Sequence, residues 1–585
     1  MNNKEVVRVL VTIADLLEIK GENPFRVRSY RNAAATIDAL SVSLELIAGA
    51  EQDRLEDIPG VGKAIHGKII EVLDTGSCRL LEELREELPG GLLDMLAVPG
   101  LGPKKVRLFY RSLGIDSVDA LERAALAAEL RALPGMGEKS EQKILRSIER
   151  YRRTRKSSKR FRLGTATAFA GKLVEYLSAV EGVASVDIAG SLRRWCESVG
   201  DIDILVTGRD GAVVMDAVAA YPGVTEVIGR GDTKSSVLIP LENTSIQVDV
   251  RFVEASAKGA ALNYFTGSKE HGVALRSRAK KMGLKLSEYG VFDEATGRRV
   301  AGKDEGSVYK ALGLLYIEPE LRENRGEIEA AEKGELPTLI NEADIRGNLH
   351  MHTTASDGAN TVEEMARAAI KEGYEYIAIT DHSKASGIAG GLDEKRLLKH
   401  INSINSIAQK LKDEGEVITL LKGVEVDILS AGALDYSDEL LSMLDCVVGA
   451  VHSGFDMEGA RMTARITSAI ESDMLNILAH PTGRLIGARE PYDMDIEAVM
   501  EAAAAFGVAM ELNSYPERLD LKDTHCRMAR EKGLLVSIST DSHSTETFSN
   551  MTYGVHTARR GWLEKGDVLN TRPLKSLLGF FRKGA

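Results

Sequence analysis

Short, continuously apolar runs alternate with amphipathic stretches of helical period from residue 345 to the end of the chain. The runs are "GNLHMHT" (347–353), "YIAITDHS" (376–383), "ITLLKGVEVDI" (418–428), "CVVGAVHS" (446–453), "NILAHPTG" (476–483), "VAMELNS" (508–514) and "LVSISTDSH" (535–543). Between them lie patterns such as "TVEEMARAAIKEG" and "EKRLLKHINSINSIAQKLKDEG". Apolar strands alternating with helices predict a parallel sheet rolled into a (β/α)7 barrel with its helices outside.

Upstream the period changes. "VDIAGSLRRWCESVGDIDILVTG" (186–208) alternates apolar and polar residues on either side of a turn, and "SIQVDVRFV" (245–253) alternates again. These read as strands of an α+β domain. Residues 1–160 are helical in pattern and contain one turn three times: "IPGVGKAIHGKI" (58–69), "VPGLGPKKVRLF" (98–109) and "LPGMGEKSEQKIL" (133–145).

A chain of 585 residues exceeds one hydrophobic core, so several domains are expected. There is no run of apolar residues long enough to span a membrane and no basic-then-apolar leader, so a cytoplasmic protein without a membrane partner is expected. Cys78, Cys196, Cys446 and Cys526 show no paired spacing and are expected to be buried thiols.

The net charge of −12 changes meaning once it is divided. Residues 1–160 carry 27 basic against 24 acidic side chains, and residues 341–585 carry 26 against 37. The acidic excess coincides with the histidines, nine of whose eleven lie beyond residue 340. Local charge decides whether a surface attracts phosphates.

Each repeated turn places glycines (Gly60 and Gly62, Gly100 and Gly102, Gly135 and Gly137) before a helix whose first N–H groups are unpaired. Such a seat holds a DNA phosphate without reading bases, although a packing corner uses the same residues. Three copies favour the phosphate seat, and they resemble helix-hairpin-helix elements. The third carries Glu138, so it is the one that architecture alone can explain. The run "RSIERYRRTRKSSKRFR" (146–162), with nine basic residues and one acid, follows directly and suits a phosphate-contacting connector.

Asp201 and Asp203 are two apart on a strand and leave the same face, and Asp249 sits on another strand. Acids converging on one sheet face repel unless cations lie between them; exposed edge-strand acids are the plain alternative. Two Mg²⁺ or Mn²⁺ ions there would serve phosphoryl transfer. Gly190, Ser191, Arg193 and Arg194 precede them. Gly-Ser, then Asp-x-Asp, then a later strand aspartate resembles the nucleotidyltransferase fold of polymerase beta-like enzymes. Tyr264-Phe265-Thr266-Gly267-Ser268 is similar to the sugar-binding turn of family X DNA polymerases.

In the barrel each strand releases polar residues at its C-terminal end: His350 and His352, Asp381 and His382, Glu425 and Asp427, His452, His480, Glu511 and Asn513, Asp541 and His543. Those ends gather at one mouth. Imidazole and carboxylate without thiolate suit Zn²⁺, Mn²⁺ or Fe²⁺, and the number of ligands suits about three ions. The set resembles the PHP (polymerase and histidinol phosphatase) family.

The whole chain thus resembles the bacterial and archaeal family X polymerases that carry a C-terminal PHP domain. The resemblance implies six segments: an N-terminal, lyase-like DNA-end-binding domain (1–88), helix-hairpin-helix fingers (89–160), a nucleotidyltransferase palm (161–258), a thumb (259–317), a charged linker (318–344) and the PHP barrel (345–585). It makes Asp201, Asp203 and Asp249 the catalytic metal-binding acids, with Asp249 the base for the primer hydroxyl. It gives the nucleotide to Gly190, Ser191, Arg194 and the backbone at Gly200, with Arg162 a weaker candidate, and to Tyr264, Phe265 and Gly267. Arg276 takes the template-side position, and Lys68 stands where lyase members place a Schiff-base lysine. Gly272 departs from relatives that carry a side chain near the incoming base. In the barrel the implied ligands are His350, His352, Asp357, His382, Glu425, His452, His480, Asp541 and His543, with Glu425 bridging two ions. His400, His525 and His556 match no motif and are expected to be structural.

The implied function is gap-filling DNA polymerisation in repair, acting as a monomer on gapped or nicked DNA with dNTPs, in the cytoplasm and on the nucleoid. A metal-dependent 3′-5′ exonuclease or phosphoesterase and abasic-site processing accompany it. The alternative is a DNA-binding nuclease or phosphoesterase with weak or no polymerase activity.

Overall fold

The computed structural model describes residues 3–38, 55, 61–75, 77–98, 100–157, 160–242 and 244–582. Gly60 of the first repeated turn lies outside them, as do residues 158 and 159 of the basic run. The chain divides at Ser158 into two units.

The first unit is helical. Helices α1 (Asn3–Lys20), α2 (Pro24–Asp38) and α3 (Lys63–Thr75) close over Leu10, Ile13, Leu17, Ile37 and Ile69. A second core, around Met95, Val106, Phe109, Leu121 and Ile148, includes faces of α4 (Pro103–Leu113) and α5 (Glu138–Ser157). Ile19 of α1 belongs to this second core, so α1 contributes to both. The third repeated turn leads into α5, and Gly100 and Gly102 of the second lead into α4.

The second unit begins with α6 (Leu163–Ser178), β1 (Val183–Ile188), α7 (Gly190–Arg193), β2 (Asp201–Gly208), α8 (Gly211–Ala219), β3 (Glu226–Arg230), β4 (Lys234–Leu241) and β5 (Thr244–Val253). The strands form one sheet in the order β1-β2-β5-β4-β3. Only β2 and β5 are parallel neighbours, and their register sets Asp203 opposite Asp249. Alternation along β5 buries Ile246, Val248 and Val250 under α6 and α8 and turns Asp249 to the other face. Helices α9 (Lys258–Thr266) and α10 (Lys269–Lys281) follow, then a small sheet of β6 (Leu284–Ser287), β7 (Gly290–Asp293) and β8 (Arg299–Ala301).

The barrel strands are β9 (Gly347–Asn348), β10 (Tyr376–Ile379), β11 (Thr419–Asp427), β12 (Cys446–Ala450), β13 (Ile477–Leu478), β14 (Ala509–Asn513) and β15 (Val536–Ser539). All pair in parallel, in chain order. Just beyond the ends of β9 and β15 the ring is bridged, as His352 N–H donates to Ser542 O at 2.8 Å. Ile377 and Ile379 join the core beneath the helices, whereas Tyr376 and Ala378 point to a second core inside the barrel. Burial on both faces is why these strands read as unbroken apolar runs. The expected seven-stranded barrel is present strand for strand.

The charged stretch expected to be a linker is instead built into the fold. Arg322 is fully buried against Glu305 at 2.6 Å, and Glu320 meets His556 at 2.8 Å and Arg559 at 2.7 Å. Leu321 and Ile328 share a core with Tyr309 and with Trp562 of the barrel. Charge density suggests solvation, but pairing reverses that expectation.

Candidate functional site

The first site lies on the open face of the five-stranded sheet. Burial, together with the charges of Asp201 and Asp249, raises the pKa of Asp203 to about 7, and burial with Asp249 raises that of Asp201. Gly190, at φ +63°, makes this convergence possible: a Cβ there would sit 2.2 Å from Asp203 Oδ2. Asp249 accepts hydrogen bonds from Ser236 Oγ and from Gln247 Nε2, the latter at 2.8 Å. Three carboxylates on one sheet face suit hard divalent cations, which would lower the raised pKa values of Asp201 and Asp203.

Ser191 lies in α7, and Arg194 caps its C-terminal end. Arg194 donates to Glu323 at 3.0 Å and to the carbonyl of Thr266. Gly267, at φ +68°, leaves room for it: a Cβ would press on Arg194 Nη1 at 3.2 Å. The Tyr264–Ser268 turn and the Gly190–Arg194 turn therefore meet. Arg251 lies 4.3 Å over the ring of Phe265, and Arg276 lies 5.6 Å over Tyr264. The Arg276 guanidinium also covers Gly272, with Nη1 3.1 Å from where a Cβ would be.

Arg162 faces the barrel half. It does not reach the sheet acids; its guanidinium pairs with Glu517 and donates to Ile486 O at 3.0 Å, both in the barrel half. Arg160 lies nearer the acids. It donates to Ser198 Oγ at 3.0 Å, approaches Gly200 and acts electrostatically on Asp201. The antiparallel pairing of Phe161 with Val199 and Arg162 with Ser198 carries Arg160 to Gly200. A pairing two residues long leaves no period in the sequence, so this residue was missed.

In the helical unit, Gly62, Gly100, Gly102, Gly135 and Gly137 all have open space where a Cβ would stand, and Gly100 and Gly135 have φ of +81° and +75°. A phosphate backbone has room to approach at these turns. Lys68 lies half-buried on α3, with Nζ 3.3 Å from Ala64 O.

The second site is the barrel mouth. Three groups have mutually close ligand atoms: His352, Asp357, His382 and His543; His350, His352 and Asp541; His382, Glu425 and His452. Glu425 ties them together. Its Oε1 lies 3.0 Å from His480 Nε2 and 3.3 Å from His452 Nε2, and its Oε2 lies 2.8 Å from His382 Nδ1. Burial opposes charge on these histidines, yet Glu425 and neighbouring acids carry the pKa of His382 up to about 10 and that of His452 to about 9. His352, buried beside His382 and His543, falls to about 4.

Buried His352 Nδ1 and His480 Nδ1 have no hydrogen-bond partner. Buried polar atoms are ordinarily satisfied, so these mark places a cation would fill. The donor set, imidazole and carboxylate, fits transition-metal ions.

Four strand-end residues stay outside the ligand groups and hold them in place. Glu511 contacts His350 Nδ1 at 2.7 Å and accepts His480 N–H at 2.7 Å. Asp427 lies 3.2 Å from His452 Nδ1, and Asn513 donates to Asp541 Oδ2 at 3.0 Å. Asp381 accepts the N–H and hydroxyl of Thr353, both at 2.8 Å, and meets His400, so it orders the loop that delivers Asp357. His400 is thus structural, as is His556, which stacks 3.7 Å from Trp195.

Comparison with known proteins bears on both sites. Residues 261–323 match the family model of the DNA polymerase beta thumb, and residues 348–514 match the PHP domain. Residues 1–78 match a helix-hairpin-helix domain, and residues 92–150 a SAM-like helix-hairpin-helix tandem. The DNA polymerase/3′-5′ exonuclease PolX of Bacillus subtilis (strain 168) is 39% identical over 583 residues, spanning 100% of both chains. The chain belongs to this PolX family. A probable phosphatase of Thermoanaerobacter sp. (strain X514) is 29% identical over 238 residues, covering 38% of this chain and 89% of that relative. The probable phosphatase YcdX of Shigella flexneri is 30% identical over 210 residues, covering 34% of this chain and 79% of its own. Among the described residues no helix is long and apolar enough to cross a membrane.

Proposed function

We propose that this PolX-family enzyme fills short gaps in DNA at its sheet site and trims or cleans 3′ ends at its barrel mouth. The observation that carries the reading is the register of Asp203 with Asp249 under Gly190, a convergence of acids with no packing role. Asp201, Asp203 and Asp249 would hold two Mg²⁺ or Mn²⁺ ions, which supply charge neutralisation and nucleophile activation when bound. Asp249 would take the proton of the primer 3′-hydroxyl on a carboxylate oxygen. Ser191, Arg194, Arg160 and the Gly200 backbone bind the triphosphate, while Tyr264, Phe265 and Gly267 shape the sugar pocket. Arg276 faces the template side. The open glycine turns would bind the DNA backbone, and Lys68 would serve abasic-site chemistry.

At the mouth, the nine implied ligands would hold up to three Zn²⁺, Mn²⁺ or Fe²⁺ ions, with Glu425 between two of them. The segments at 1–88, 89–160, 161–258, 259–317 and 345–585 serve end binding, fingers, palm, thumb and hydrolysis. Residues 318–344 join them. A monomer working on nucleoid DNA in the cytoplasm completes the reading. A manganese-supplemented assay on gapped duplex, following extension and degradation together, tests it. Asp203→Ala is expected to abolish extension and spare degradation, and His352→Ala to do the reverse. Extension that survives Asp203→Ala refutes the sheet assignment.

A further inference from the structure

The loop after β14, residues 514–521, forms one wall of the barrel mouth and is fastened by the sheet half. Leu519, at φ +41°, is fully buried in the core of the five-stranded sheet. Arg484 donates to the carbonyl of Arg518 at 2.9 Å and pairs with Glu197 at 2.8 Å, and Glu517 pairs with Arg162.

Held in this way, Arg518 reaches the ligand cluster. Its Nε lies 3.8 Å from Asp541 Oδ2, and its side chain is 19% exposed at the rim. Asp541 turns Oδ1 toward His352 at 3.1 Å and His350 at 3.6 Å, leaving Oδ2 to Asn513 and Arg518. Tyr515, three residues earlier on the same loop, is 36% exposed. Asp357, Glu425 and Asp541, with Asp381, Asp427 and Glu511 behind them, make a mouth that repels an incoming phosphodiester unless fixed cations offset the acids. A guanidinium on an anchored loop is suited to a phosphate, and a partly exposed aromatic ring to a base.

We propose that Arg518 and Tyr515 form a subsite for the terminal nucleotide of a DNA strand, Arg518 taking a phosphate oxygen and Tyr515 presenting its ring to the sugar and base. The subsite rests on the reading of the mouth as a phosphodiester hydrolase. It makes the loop after β14, and not the metal ligands alone, the element that selects nucleic acid as substrate.

Calorimetric titration of full-length, metal-loaded protein with a deoxynucleoside 5′-monophosphate reads the subsite without turnover. An Asp203→Ala background keeps the sheet site silent. Arg518→Ala is expected to weaken binding about tenfold to a hundredfold, the weight of a charged hydrogen bond, and Arg518→Lys to restore part of it. Tyr515→Ala is expected to weaken it severalfold, roughly the value of one stacked base. Metal content by mass spectrometry is expected to match that of the parent, and KM for 3′-end hydrolysis to rise more than kcat falls. Monophosphate binding unchanged in Arg518→Ala, or lost only in step with metal, overturns the proposal. Hydrolysis that survives His352→Ala would instead refute the hydrolase reading, and the titration would still judge the subsite on its own.

Discussion

Arg162 of the sheet half and Glu517 of the barrel form an ion pair across the larger unit, and the same guanidinium donates to Ile486 O at 3.0 Å. The pair turns Arg162 toward the barrel and leaves Arg160 beside Gly200, in the proposed triphosphate site. Arg160→Ala is therefore expected to raise the KM for dNTP about tenfold or more, as loss of a charged hydrogen bond would. Arg162→Ala is expected to leave that KM within about twofold. Steady-state primer extension distinguishes them, and the opposite ranking would return the role to Arg162.

Gly190→Ala tests the crowding at Asp203. The added methyl would meet Asp203 Oδ2 at 2.2 Å and adopt a φ of +63° that alanine disfavours. Extension is expected to fall about a hundredfold or more, the scale of displacing a reacting group by an ångström. Degradation at the mouth should persist. Near-normal extension in this variant would show that Asp203 has freedom the packing denies it.

Glu425 faces all three ligand groups, so its loss is expected to remove more than one ion per chain. Elemental analysis of Glu425→Gln beside Asp357→Asn, which touches a single group, measures the difference. Chelation should lower the melting temperature of the parent more than that of Glu425→Gln, because the parent loses more bound cation. Equal metal content in the two variants would contradict a shared carboxylate.

Acid should attack the seam around residues 305–322. Burial alone would raise Glu305 and Glu320, but Arg322 and Arg193 around the first, and His556 and Arg559 around the second, hold both at about 2 against an ordinary 4.5. A depressed carboxylate stabilises fully above its unfolded value and loses that contribution as pH falls toward its folded one. Each accounts for on the order of 3 kcal/mol, present above about pH 4.5 and fading toward pH 2. Melting curves of the parent should drop steeply over that window, while Glu305→Gln starts lower and falls less. Parallel pH profiles for the two proteins would rule the contribution out.

Much of this was legible because chemistry and period coincide. His350 and His352 are two apart at a strand end, so both face inward, and Asp201 with Asp203 obeys the same rule on the sheet. The contacts made across long separations were not legible. Arg160 reaches Gly200 through a two-residue strand, and Arg322 is sealed by partners that a charge count treats as solvated. Asp381, Glu511 and Asp427 showed their place at strand ends, but whether each touches an ion or a ligand's far side depends on rotamers that spacing does not encode.

Leu519 comes from the barrel yet completes the apolar interior of the five-stranded sheet, a burial worth about 2 kcal/mol. Swapping in a stand-alone phosphatase of similar barrel would therefore leave a hole under the five-stranded sheet unless its equivalent residue were grafted too. The barrel, in this molecule, doubles as structural filling for the sheet.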